Sequence, residues 1–151
     1  MSSCMLCPRA CGADRSVSPG FCGAEYLPRV AKIMLHRWEE PFISGSRGSG
    51  AVFFSGCNLG CVYCQNHEIR DGLVGEYYDE DRLADAYLAL QENGAHNINL
   101  VTAAHYVPQV AESLRRAKVQ GLHIPVVYNS SGYEYVDSIR SLEGLVDIYL
   151  P

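Results

Sequence analysis

Between residues 51 and 150 short apolar runs alternate with segments of helical periodicity, and this alternation constrains the fold more than any other feature. Ala51 to Ser55 (AVFFS) has the continuous apolar character of a buried parallel strand. Residues 80–92 carry Leu83, Ala84, Ala86, Tyr87, Leu88 and Leu90, open on Asp79, Glu80 and Asp81, and are followed by Gly94. Acidic side chains favour a helix N-terminus and glycine the position past its end, so a helix is predicted there. Asn97 to Thr102 (NINLVT) reads as a second strand. Pro108 suits a first helical turn, and Val107, Val110, Ala111, Leu114 and Ala117 form one helical face closed by Gly121. Ile124 to Tyr128 is a third strand, 133–142 a shorter helix and 145–150 a fourth strand. The alternation predicts the α/β class: parallel strands with right-handed crossovers in a partial (β/α) TIM-type barrel. Ligands are expected at the carboxyl ends of the strands, where the loops after Ser55, Thr102 and Tyr128 converge. Pro151 follows the fourth strand with no covering helix, so the sequence reads as truncated from a larger domain.

Residues 1–50 differ in character and are read as a Cys-rich N-terminal segment, with 51–151 as the partial barrel. That segment is irregular, with a short extended piece at 29–35 and a flexible connector, SGSRGSG, at 44–50. No Lys-Ser or Lys-Thr follows the connector, which excludes a phosphate loop. The formal net charge of −5 excludes a general nucleic-acid surface. No apolar run approaches the ~20 residues of a membrane span, and MSSCMLCPRACG lacks the pattern of an export signal. A cytoplasmic location is therefore expected, where thiols persist as ligands or nucleophiles.

Against that background the cysteines gain meaning. There are seven, an odd number, in two clusters: Cys4, Cys7, Cys11 and Cys22, then Cys57, Cys61 and Cys64. A disulfide framework explains neither the number nor the clustering, whereas metal ligation explains both. Three thiolates within eight residues leave a coordination gap. Either His67 completes a zinc site, or the trio holds an iron–sulfur cubane with one iron lacking a protein ligand. The first cluster is a four-thiolate set whose spacing suits a structural zinc or a second iron–sulfur cluster equally. A plain electron-transfer or structural Fe–S or zinc protein is the alternative reading, disfavoured by the βα repeats and the converging loops.

Cys57-x3-Cys61-x-Tyr63-Cys64, directly after a first strand, resembles the signature of radical S-adenosylmethionine (radical SAM) enzymes. Gln65 and Asn66, and the frame HRWEEPFISGSRGSGAVFFSGCNLGCVYCQN, resemble the branch related to pyruvate formate-lyase-activating enzymes. The resemblance implies a [4Fe-4S] cluster on Cys57, Cys61 and Cys64 whose unique iron chelates S-adenosylmethionine. One electron, from a donor such as flavodoxin or ferredoxin, then yields a 5′-deoxyadenosyl radical that abstracts hydrogen from a substrate. In that branch the substrate is a protein, a glycyl-radical enzyme. The resemblance also implies that Tyr63 packs near the adenine and that Thr102 contacts the methionine amine. Here Thr102-Ala103-Ala104 stands in place of the family's Gly-Gly-Glu segment. Asn129 and Ser130 stand where a polar turn contacts the cofactor. Glu39 and Glu40 are solvated or line the substrate cavity, and His105 either contacts a ligand or makes a local hydrogen bond.

Overall fold

A computed structural model describes residues 3–151 of the chain. Its elements, in chain order, are β1 (Arg29–His36), α1 (Pro41–Ser44), β2 (Ser49–Phe54), α2 (His67–Arg70), β3 (Glu76–Tyr77), α3 (Glu80–Glu92) and β4 (Ile98–Val101). A 3-10 turn (Ala104–Tyr106) then leads into α4 (Val107–Val119), β5 (Val126–Asn129), α5 (Val136–Arg140) and β6 (Ile148–Leu150). The strands form one six-stranded sheet in the order β3-β1-β2-β4-β5-β6. The β2–β4, β4–β5 and β5–β6 pairs are parallel, as the alternation predicts. β1 runs antiparallel to both β2 and β3.

Register explains which face is packed. Val52, Leu100 and Tyr128 lie side by side across the parallel strands. They belong to one buried cluster with Leu83 and Tyr87 of α3 and Val110 and Leu114 of α4. Residues one step along (Phe53, Val101, Asn129 and Leu150) form a row on the opposite face. Leu83, Ala84, Tyr87 and Leu90 of α3 are buried at helical spacing, and the Asp79 carboxylate caps the helix by accepting the Arg82 amide at 2.8 Å. Each fully buried Leu or Val side chain contributes about 1.5–3 kcal/mol. The Tyr87 hydroxyl meets Ser113 Oγ at 3.2 Å between the two helices, and burial holds its phenol well above the ordinary titration range.

The extended piece expected at 29–35 is β1, in which Val30 packs into the core and pairs with Phe54 of β2. Two expectations need correction. The SGSRGSG run is a connector only in its first half. From Ser49 it is strand, and a Cβ on Gly50 would lie 2.7 Å from the Asn97 carbonyl, so close β2–β4 approach requires a residue without one. The helix expected over 133–142 contracts to Val136–Arg140. Tyr133 is held in the loop because its carbonyl accepts Asn58 Nδ2 at 2.7 Å.

Candidate functional site

The loop after β2 is held from several sides. Ser55 donates its amide to the Arg29 carbonyl at 2.8 Å, and Gly56 to that of Ile69 at 2.7 Å. Cys57 donates to the Cys22 carbonyl at 3.0 Å. Gly56 has φ +90, and a Cβ there would sit 2.5 Å from the Cys22 oxygen and 3.2 Å from His105 Nε2. The first cluster-loop cysteine is thus wedged under the N-terminal segment and against the residues after β4.

His105 is buried, and Nε2–H donates to the Ser55 carbonyl at 2.8 Å. Burial lowers its pKa to about 4, so the ring is neutral near pH 7. Among the described residues Nδ1 has no partner. Of the two roles open to His105, the geometry assigns the local hydrogen bond. Arg15 fixes the same turn from outside, donating to the His105 carbonyl at 2.6 Å and to the Glu25 carbonyl at 2.5 Å.

Cys57, Cys61 and Cys64 are free, half-buried thiols. Cys57 and Cys64 line a small cavity of about 70 Å³ together with Gly56, Asn66, Arg70 and Thr102. Arg70 donates to the Cys61 carbonyl at 2.6 Å and places its charge near the Cys64 and Cys57 thiols. Its ion pair with Asp71, at 2.6 Å, holds that carboxyl below the ordinary range. Thr102 has φ +59, a conformation that costs a β-branched residue energy and marks backbone strain at the end of β4.

The other expected contacts lie apart. Tyr63 is on the same loop but 87% exposed. Asn129 is half-buried at the end of β5, where its carbonyl accepts the Thr102 amide at 3.0 Å. The Ser130 hydroxyl donates to Glu134 at 2.8 Å and accepts the Gly132 amide. Neither lines the cavity that Thr102 shares with the two cysteines. Glu39 reaches Asn99 of β4, accepting its side-chain amide at 3.3 Å.

Whether the thiols fit one ion or a cluster follows from their arrangement. Among the described residues no three His, Cys, Asp or Glu side chains are gathered closely enough to share a single metal ion. A zinc site on the trio and His67 would need all four donors about 2–2.3 Å from one point. A cubane instead takes each thiolate at a separate corner, so three free thiols on one loop beside a guanidinium fit it. In the N-terminal set the Cys11 and Cys22 thiols both lie against Gly20, with Cys4 beside Cys11 and Cys7 near Cys22. Backbone amides of Ala13 and Phe21 lower the pKa of Cys11, while burial raises that of Cys22.

Sequence reasoning missed Arg9, Asn58 and Arg70. Arg9 and Arg70 act across 49 and 9 residues of sequence, which no local pattern signals. Asn58 is fully buried inside the cysteine motif, at a position the motif leaves open.

Among the described residues no helix is long and apolar enough to cross a membrane. The chain is 29% identical over 155 residues to the uncharacterized protein MJ0674 of Methanocaldococcus jannaschii, an alignment covering 98% of this chain and 44% of that relative. It therefore spans less than half the length of the curated relative it matches. The sequence profile of the Radical SAM superfamily matches residues 51–150, which run from β2 and its cysteine loop through β6. The chain belongs to the radical SAM superfamily.

Proposed function

We propose that Cys57, Cys61 and Cys64 hold a [4Fe-4S] cluster that binds S-adenosylmethionine, within an enzyme most like the activating enzymes of glycyl-radical proteins. The observation that carries this reading is the cavity shared by Cys57, Cys64 and the strained Thr102 at adjacent carboxyl strand ends. When bound, the cluster supplies one electron to S-adenosylmethionine and so generates a radical that takes hydrogen from the substrate.

The chain's own residues position and shield. Arg70 offsets the negative charge of the thiolates. Thr102 offers its hydroxyl or backbone to the methionine amine, Asn129 and Ser130 offer polar contacts, and Tyr63 offers a ring to the adenine. The same reading assigns a flavodoxin or ferredoxin as electron donor, a protein as substrate and a cytoplasmic setting, supported by seven cysteines in ligand-like spacing. It divides the chain into a Cys-rich segment over 1–50 and a radical SAM core over 51–151. Cys4, Cys7, Cys11 and Cys22 hold a second centre in this reading. A structural zinc or a second iron–sulfur cluster suits that four-thiolate set equally.

Anaerobic reconstitution with iron and sulfide tests the reading, scored by metal content and by S-adenosylmethionine cleavage to methionine and 5′-deoxyadenosine. Replacing Cys57, Cys61 or Cys64 with Ala should abolish cleavage and remove about four irons per chain. Cleavage that survives all three replacements would refute it.

A further inference from the structure

The Cys57–Cys61 loop is gripped by two arginines that come from opposite ends of the site. Arg9 donates Nε–H to the Asn58 carbonyl at 2.8 Å and Nη2–H to the Leu59 carbonyl at 2.9 Å. Its guanidinium lies over the Phe21 ring at 4.2 Å and faces the Tyr133 ring at 5.6 Å. Tyr133 is itself tied to the loop through Asn58 Nδ2. Ala10 follows in a left-handed conformation, φ +44, with its amide bonded to the Cys7 carbonyl, and this turn aims Arg9 at the loop. From the other side Arg70 takes the Cys61 carbonyl at 2.6 Å.

Three carbonyls of one short loop are therefore turned onto guanidiniums. The same peptide units carry the amides of Leu59, Gly60 and Val62, and among the described residues no acceptor takes any of the three. The C=O and N–H bonds of one peptide unit point in opposite directions, so carbonyls fixed outward on the guanidiniums leave these amides free to face the thiolates.

We propose that Arg9 and Arg70 are positioning residues, Arg9 orienting the peptide units Asn58–Leu59 and Leu59–Gly60 and Arg70 the unit Cys61–Val62, so that the amides of Leu59, Gly60 and Val62 donate to cluster sulfur. This rests on the reading that Cys57, Cys61 and Cys64 hold the cluster. Hydrogen bonds to sulfur and nearby positive charge stabilise the reduced state of an iron–sulfur cluster. Arg9 is the informative residue, because it is exposed and its fork spans two carbonyls that a lysine ammonium does not bridge in the same way.

Two measurements on the whole chain test the proposal. In cluster-free protein, hydrogen exchange at the Cys57 amide, which is bonded to the Cys22 carbonyl beside the gripped peptides, should quicken at least threefold in both Arg9→Gln and Arg9→Lys. In reconstituted protein, redox titration followed by the reduced cluster's EPR signal should show a more negative potential in both variants. The shift expected is about tenfold in the reduced-to-oxidised ratio at fixed potential, equivalent to about 59 mV for one electron. Unchanged exchange and potential in Arg9→Gln overturn the proposal. So does a lysine variant that matches the native protein in both, since charge alone would then suffice. A native chain that binds no cluster at Cys57, Cys61 and Cys64 refutes the functional reading instead, and the exchange measurement still decides whether Arg9 holds the loop.

Discussion

Gly56→Ala tests the wedge beneath the cysteine loop, because the contact it disturbs joins two parts of the chain. The residue sits at φ +90, and a Cβ would meet the Cys22 oxygen at 2.5 Å and His105 Nε2 at 3.2 Å. Forcing an L-residue into a left-handed conformation costs about 1–2 kcal/mol. Overpacking adds about 1–3 kcal/mol, here against a backbone oxygen that swings aside only by breaking its bond with the Cys57 amide. Together these predict a loss of about 2–5 kcal/mol, a fall of roughly 6–15 °C in Tm for a chain of this size. Gly144→Ala is the matched control, with φ +74 and nothing within 4 Å of its Cβ, so it bears the conformational cost alone. Thermal unfolding of the cluster-free protein, paired with iron content after reconstitution, reads both consequences. A Gly56→Ala protein no less stable than Gly144→Ala, with full iron uptake, would show that the wedge does not hold the loop.

His105 gives stability a definite pH dependence. Its folded pKa, about 4, lies below the unfolded value near 6.5, so its contribution is whole above pH 6.5 and is lost as pH falls towards 4. The loss should reach about 3 kcal/mol, measured as urea unfolding between pH 7 and pH 4, and His105→Gln should remove that part of the slope. Thr102→Gly should relieve the strain at φ +59 and raise stability by about 1 kcal/mol, while weakening S-adenosylmethionine binding measured by equilibrium dialysis. Weakened binding with unchanged stability would mean that the strain is not stored at this residue.

The parallel half of the sheet was legible because its signals are local. The α3 boundaries, Glu80–Glu92, coincide with an acidic start and a glycine past the end, and the Asp79 cap explains why. Strand limits drifted by one to three residues, as at Ile148, where Asp147 leaves the strand pattern to bond the Val126 amide through its side chain. β1 was legible as extended over 29–35, but not its antiparallel pairing, whose register shifts between Val30 and Lys32. Cysteine spacing located the loop that carries the chemistry, but not what supports it. Arg9 and His105 reach the loop over 49 and 50 residues, and such contacts exist only once the chain has folded.

The central claim is that the trio leaves one iron open to S-adenosylmethionine. The most direct measurement is the EPR spectrum of the reduced, reconstituted chain with Cys4, Cys7, Cys11 and Cys22 replaced by Ala, recorded before and after adding S-adenosylmethionine. A change in the shape of the signal on addition, absent when Cys57, Cys61 and Cys64 are also replaced, is predicted. An intact cluster whose spectrum does not respond to S-adenosylmethionine would contradict the account.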